Sequence, residues 1–397
     1  MTKDNSNTRT PIIRFQGFNG EWKKKKIGDI AIVLQGYGFP EKYQGQKYGD
    51  LPFCKVGDIS SAVDRGEMVI NKADNFVDYS LLPVLHAQPI PVGSTIFAKI
   101  GEAIRSNKRI KTGVPCLIDN NAAAVKSKGE ISDTFLFYLM SKVNLADYSG
   151  GIVPSVNKST IEAIDVLVPS SRDEQQKIAE CLEAIDQMIS AQNQKVESLK
   201  THKKGLMQQL FPQPGAITPA LRFPGFTGDW QEKSFDRICH TITPPLKLQS
   251  SQYSSSGKFP IVDQSQTLIC GWTNDPSGLL RNAPYIIFGD HTCVLKYIDF
   301  PFIQGADGVK ILGSNKKDNS KFIYQLLLSN PVKQDGYKRH FSDLKEKVFL
   351  LPPTLEEQTK IAECLSSIDE IISVEESKVA SLKARKKGLM QQLFPQL

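Results

Sequence analysis

What the chain lacks excludes most catalytic classes. No apolar run among its 397 residues approaches the length that crosses a bilayer. The start, MTKDNSNTRTP, is polar and has no apolar core, so a secretory signal is not expected and the expected location is the cytoplasm. Seven cysteines form no Cys-x-x-Cys pair and five histidines show no ligand spacing, so neither disulfides nor a metal site are expected. A Walker A sequence is absent, which argues against a motor. The nearest string to an adenine methyltransferase motif, Asn282-Ala283-Pro284-Tyr285, departs at its second position and has no accompanying Gly-rich loop. Glu-x-Lys triplets at Glu21-Trp22-Lys23 and Glu376-Ser377-Lys378 lack an evident acidic partner for nuclease chemistry. No catalytic residue and no bound cofactor are therefore expected.

What remains is an ordinary globular composition, 40% hydrophobic and 23% charged, in a chain long enough for two or three domains. The net charge of +7 is compatible with a polyanionic partner without requiring one.

The informative content is repetition. Residues 174–212 read EQQKIAECLEAIDQMISAQNQKVESLKTHKKGLMQQLFP, and residues 357–395 read EQTKIAECLSSIDEIISVEESKVASLKARKKGLMQQLFP, with 27 of 39 positions identical. A second repeat precedes each helix. Arg14, Phe15, Gly17, Phe18, Gly20 and Trp22 recur as Arg222, Phe223, Gly225, Phe226, Gly228 and Trp230. The order is entry motif, block, helix, twice over.

Between the repeats lie two blocks that barely resemble one another. Each carries short β-branched and aromatic runs bounded by Gly, Pro, Asp and Asn, the pattern of strands and turns. SDTFLFYLMSKV (Ser132–Val143) and NSKFIYQLLLSN (Asn319–Asn330) predict one amphipathic helix late in each block. Each block is expected to be a separate α+β domain, the two of matching design and divergent surface.

In the repeated segment Ile178, Leu182, Ile185, Ile189, Val196, Leu199, Leu206 and Leu210 alternate in steps of four and three, with Gln192 and Lys203 filling the remaining seam positions. The second copy runs Ile361, Leu365, Ile368, Ile372, Val379, Leu382, Leu389 and Leu393, with Glu375 and Lys386 at the matching polar positions. This is a heptad seam, the signature of a coiled coil, and each helix would be roughly 55–60 Å long. Acidic residues fill each first turn and Lys203, Lys204, Arg385, Lys386 and Lys387 crowd the last turns, as the helix dipole favours; a direct DNA role for those bases is the alternative. The natural partner of one helix is the other, antiparallel, giving a rod with a domain at each end and a pseudo-two-fold internal repeat. Polar seam positions would fix register.

Binding chemistry is concentrated in two places. Lys99, Arg105, Lys108, Arg109 and Lys111 cluster against one acid, Glu102, in a segment able to lie along phosphates, and Lys55 precedes them. In the second block the candidates are Gln264, Gln266, Trp272, His291, Lys296, Lys310 and Lys316. Glutamine pairs bidentately with adenine and arginine with guanine in the major groove. For any one of these residues a solvated surface side chain remains the simpler reading.

The paired RFxGFxxxW entries and the twice-used EQxKIAECL…KKGLMQQLFP segment, with GDISSAVDRGEMVINKA, FAKIGEA, GGIVPSVNKSTIEAI and FGDHTCVLKYIDFPF…GADGVKIL, resemble the specificity (S) subunit of type I restriction-modification systems over essentially the full length. The resemblance implies target-recognition domains at 1–170 and 213–353, and coiled-coil helices at 171–212 and 354–397. Each domain would read one half of an asymmetric bipartite site on double-stranded DNA, with the coiled coil setting the gap. Two methylation subunits would dock on the repeated helices and would carry S-adenosylmethionine and the catalytic motif; restriction subunits would join for cleavage. The rival expectation is a coiled-coil scaffold whose end domains bind proteins.

Overall fold

The computed structural model describes residues 9–306, 308–336 and 338–395; the polar start up to residue 8, and Asp307 within GADGVKIL, lie outside these. Two compact units divide the chain, one of Met1–Lys195 with Glu375–Leu397, the other of Val196–Val374.

In the first unit the block is closed where it begins and ends. Strand Lys23–Lys26 pairs antiparallel with Asp165–Val168, so the segment after the entry motif lies beside the segment that feeds the central helix. Between them runs a five-stranded sheet, ordered Ala31–Gln35, Ala122–Ser127, Thr95–Ala98, Ile110–Thr112, Val69–Ile70, beside a three-stranded sheet centred on Leu51–Cys54. Strand Thr95–Ala98 is buried at every position, as a mid-sheet strand covered on both faces should be. Helix Asp133–Lys142 starts where the Ser132 hydroxyl accepts from the Phe135 amide at 3.1 Å, and it buries Phe135 to Met140. Trp22, Phe135 and Tyr138 share one core with Ile178 and Leu182 of the central helix, Leu393 at the end of the C-terminal helix and Phe394 just after it.

The second unit repeats the plan. Gln231–Ser234 pairs with Val348–Leu351, and Asn319 caps helix Ser320–Ser329 by accepting from the Phe322 amide at 3.0 Å. Its four-stranded sheet is ordered Cys239–Ile242, Val309–Ser314, Tyr285–Gly289, Leu295–Ile298, every pair antiparallel. The first four strands of the first unit's sheet have the same chain order and the same antiparallel pairing. Blocks nearly unrelated in sequence thus share a four-strand core. They differ beyond it, since the second unit adds a five-stranded sheet around Phe302–Gly305 and Phe259–Val262.

The repeated segments form helices Arg172–Leu210 and Leu355–Leu393. Within the first unit they run antiparallel, for Asp186 meets Lys386 while Gln192, further along, meets Glu375. Within the second, Lys203 meets Asp369 in the same sense. Of the sixteen apolar seam residues, Leu199, Leu206, Leu382 and Leu389 are half-buried and the others buried. The coiled-coil pairing is the one expected of the heptads, and the α+β content the one expected of the strand-and-turn runs and late helices of the blocks.

The entry motif fastens each block to its helix. Arg14 donates from Nε and Nη2 to the two carboxylate oxygens of Glu174, both at 2.7 Å, and from Nη1 to the Gly20 carbonyl at 2.5 Å. The Trp22 indole donates to the same carboxylate at 3.3 Å. In the second unit Arg222 holds Glu357 at 2.8 Å twice, bonds the Gly228 carbonyl at 2.7 Å, and Trp230 again donates at 3.3 Å. The motif also meets the end of a helix: Ile13 N donates to Gln392 O in the first unit, and Leu221 N to Gln209 O in the second.

Candidate nucleic-acid interface

The basic segment of the first unit separates into an inner and an outer set. Arg109 is buried; its guanidinium lies 4.8 Å over the Phe97 ring and donates to the carbonyls of Lys108 and Val143 and to Asn107 Oδ1 at 3.0, 3.3 and 2.8 Å. Burial draws its pKa down to about 9. Lys99 is also buried, donating to Gln35 Oε1 at 3.1 Å, with its pKa lowered by burial against the pull of Asp119. Lys111 pairs with Glu183 of the central helix at 2.8 Å. These three cations are committed to the fold. Arg105 faces solvent in the short turn Glu102–Ser106, paired with Glu102 at 3.0 Å, and Lys108 meets Asp64 at 2.7 Å. Lys55, half-buried, donates to Gln44 Oε1 at 2.5 Å and lies 5.6 Å over the Phe39 ring.

In the second unit Lys296 is buried and holds a loop together, donating to the carbonyls of Asp263 and Thr267 at 2.7 and 2.6 Å. Burial is again the main cause of its lowered pKa. The loop it holds presents Gln266 to solvent. Gln264 and His291 are brought together: Gln264 Oε1 accepts from the His291 amide at 3.2 Å, and the Thr292 hydroxyl donates to the Gln264 carbonyl at 2.8 Å. Gly308, at φ +84°, lies against both; a Cβ there would come 2.6 Å from Gln264 Nε2. Lys310 stands 3.8 Å from the buried Asp290 carboxylate, next to His291. Trp272 is half-buried in strand Gly271–Thr273, paired opposite Pro260, and Lys316 is exposed on the turn after Val309–Ser314. Gln264, His291 and Lys310 therefore share one end of the sheet, while Trp272 and Lys316 lie elsewhere in the unit.

The polar seam positions meet each other. Glu375 accepts from Gln192 Nε2, from Lys195 at 2.8 Å and from Lys378 at 3.1 Å; these donors, Lys195 first, hold its carboxyl down to about 2. The Lys386 ammonium binds both oxygens of Asp186 at 2.6 and 2.7 Å, and Tyr138 OH donates to the same carboxylate at 2.8 Å. Its counterpart has Lys203 on Asp369 at 2.7 Å twice, with Gln325 donating at 2.9 Å in the place of Tyr138. The roles of Arg14, Glu174, Arg222 and Glu357 were not foreseen from sequence. The signal was present, since each arginine and each glutamate falls at the same place in both copies of its repeat. Among the described residues no group of three or more His, Cys, Asp or Glu side chains could hold a metal, and no helix is long and apolar enough to cross a membrane.

Like frames that present unlike sheet ends define a paired recognition protein. The model of the type I restriction modification DNA specificity domain matches the chain twice, at residues 19–201 and 227–384, and the chain belongs to that family. It is 25% identical over 416 residues to the putative type I restriction enzyme MjaX specificity subunit of Methanocaldococcus jannaschii, covering 94% of this chain and 93% of that one. To the MjaVIII specificity subunit of the same organism it is 24% identical over 409 residues, covering 94% and 92%. The crystal structure of the S subunit from M. genitalium shares the fold, with TM-score 0.64 and 14% identity over 98% of this chain and the whole of that one. The chain is a type I DNA specificity subunit, and its two specificity domains fit a bipartite DNA site.

Proposed function

We propose that this chain works without chemistry of its own, as the reading part of a methylation and restriction complex. Each unit takes one half of an asymmetric site on double-stranded DNA, and the coiled coil sets the gap. The observation that carries this is a contrast between the units: the Arg–Glu fork and the Lys–Asp pair recur in both, while the sheet ends carry different side chains. Repeated surfaces on the two helices suit two copies of one partner, the methylation subunit, which would bring S-adenosylmethionine and its catalytic residues; restriction subunits complete the complex. Unlike sheet ends suit two different half-sites.

Mapping methylated adenines in cells carrying the full complex tests this. Adding one heptad to both helices, after Gln192 and after Glu375, lengthens the coil by about 10 Å. The gap between methylated half-sites should grow by about three base pairs, at 3.4 Å of rise each, with both half-sites unchanged. An altered half-site with an unchanged gap would refute the ruler.

A further inference from the structure

Each unit carries a tip over the end of its sheet, and the two tips differ in chemistry. In the first unit the tip is Gly150-Gly151-Ile152-Val153-Pro154, closed by amide–carbonyl bonds in both directions between Gly150 and Ser155 at 3.3 Å. Gly151, at φ +91°, makes the turn. Ile152 is fully exposed and Val153 is 60% exposed, a costly display for two β-branched apolar side chains unless something covers them. Two further bonds tie the tip to the basic segment: Gly101 N donates to Pro154 O at 2.8 Å, and Val156 N to Lys99 O at 2.9 Å. Lys99 follows directly on the mid-sheet strand Thr95–Ala98.

The second unit places a tip in the same way. Asn157 caps helix Lys158–Ala163, and His340, at the matching repeat position, precedes helix Phe341–Lys345. His340 N donates to the carbonyl of Asp290, the residue after the mid-sheet strand Tyr285–Gly289, at 2.8 Å. The Lys338 carbonyl lies 3.1 Å from His291 Nδ1. Here Lys338 and Arg339 are exposed, the Lys338 ammonium standing 3.5 Å from the Asp343 carboxylate. So two sheets with the same strand order each hold a tip through the carbonyl of the residue after the mid-sheet strand, one tip apolar and one cationic.

We propose that these tips are specificity-determining elements, Ile152 and Val153 for one half-site and Lys338 and Arg339 for the other. This rests on the DNA-specificity function above and names the residues through which it acts. The occupant is duplex DNA. Arg105 puts a solvent-facing guanidinium on the segment to which the apolar tip is tied, and the second tip is itself cationic. Aliphatic side chains contact thymine methyls or wedge at a base step, while arginine and lysine pair with guanine edges. Equivalent tips of opposite chemistry would then point the same frame at different bases.

The test uses the full complex and maps methylated adenines for the wild type, I152S/V153S and K338A/R339A; all four side chains are exposed, so the folded state tolerates the changes. Methylation at the cognate sequence should fall about tenfold in each variant, the size of one lost base contact. The relaxed half-site should differ between the two variants, and the untouched half should stay as in the wild type. Unchanged motifs and rates in both variants would overturn the tip assignment. A wild type that directs no bipartite motif would instead overturn the specificity function itself, so the two failures are distinguishable.

Discussion

Arg14 and Glu174 lie 160 positions apart and share two hydrogen bonds of 2.7 Å, an arrangement that Arg222 and Glu357 repeat at 2.8 Å. The carboxylate side chain is 1% exposed in both pairs. A buried charge held by one guanidinium fork is strongly destabilising when the fork is removed, by about 3–5 kcal/mol. Arg14→Ala should therefore lower the Tm by roughly 6 °C or more. Arg14→Lys should recover only part of that, because an ammonium cannot supply two parallel N–H donors. The measurement is thermal unfolding by circular dichroism. A melting curve for Arg14→Ala that overlays the wild type would show that the clamp is ornamental.

The two Asp–Lys nodes are chemically alike but differ in exposure, and the difference sets an order. Asp186 is 5% exposed beneath Tyr138 and Lys386, whereas Asp369 is 41% exposed beside Lys203 and Gln325. Asp186→Ala leaves the buried Tyr138 hydroxyl and the half-buried Lys386 ammonium without this acceptor and should cost about 3 kcal/mol. Asp369→Ala removes a carboxylate that water already screens but leaves the buried Gln325 amide without its acceptor, and should cost about 1–2 kcal/mol. Urea denaturation of both variants checks this. Equal costs, or the reverse order, would mean that burial is not what decides the strength of the nodes.

Much of this frame was legible in the sequence. Heptad positions, polar seam residues and the two late helices follow from side-chain periodicity, which is a local property. The clamp was not legible as a bond because its partners are distant in the chain, and pattern alone gives Glu174 only a place in a helix's first turn. Matching design was expected from the two late helices, but the strand order the blocks share was not legible, because apolar alternation marks strands without ordering them. Among the DNA candidates, charge counting could not separate Arg105 from Arg109. They sit four residues apart in one basic run, yet one faces water and the other lies over Phe97.

That separation makes a prediction about salt. Arg109→Ala and Lys296→Ala remove groups that bond the chain's own carbonyls, so they should lower the Tm. Arg105→Ala and Lys316→Ala remove exposed charges. They should leave the Tm unchanged and reduce the dependence of log K on log salt by about one phosphate contact each. Fluorescence anisotropy on duplex DNA across a salt series, paired with melting curves, distinguishes the two sets. A reduced salt slope for Lys296→Ala with an intact Tm would place that lysine on the DNA.

Glu375 gives the coiled coil a pH dependence of known sign. Its carboxyl is held at about 2 by Lys195, Gln192 and Lys378, against an ordinary value of 4.5. The folded state binds this proton less tightly than the unfolded chain does. The stabilisation is therefore complete above about pH 4.5 and is lost as the pH falls toward 2. Glu375→Gln keeps a polar group in the seam but removes the titration. The wild type should lose more Tm than Glu375→Gln as the pH is lowered from about 5 to about 3, while the two behave alike from about pH 6 to 8. Parallel Tm curves across the acid range would mean that the Gln192–Glu375 contact holds register without its charge.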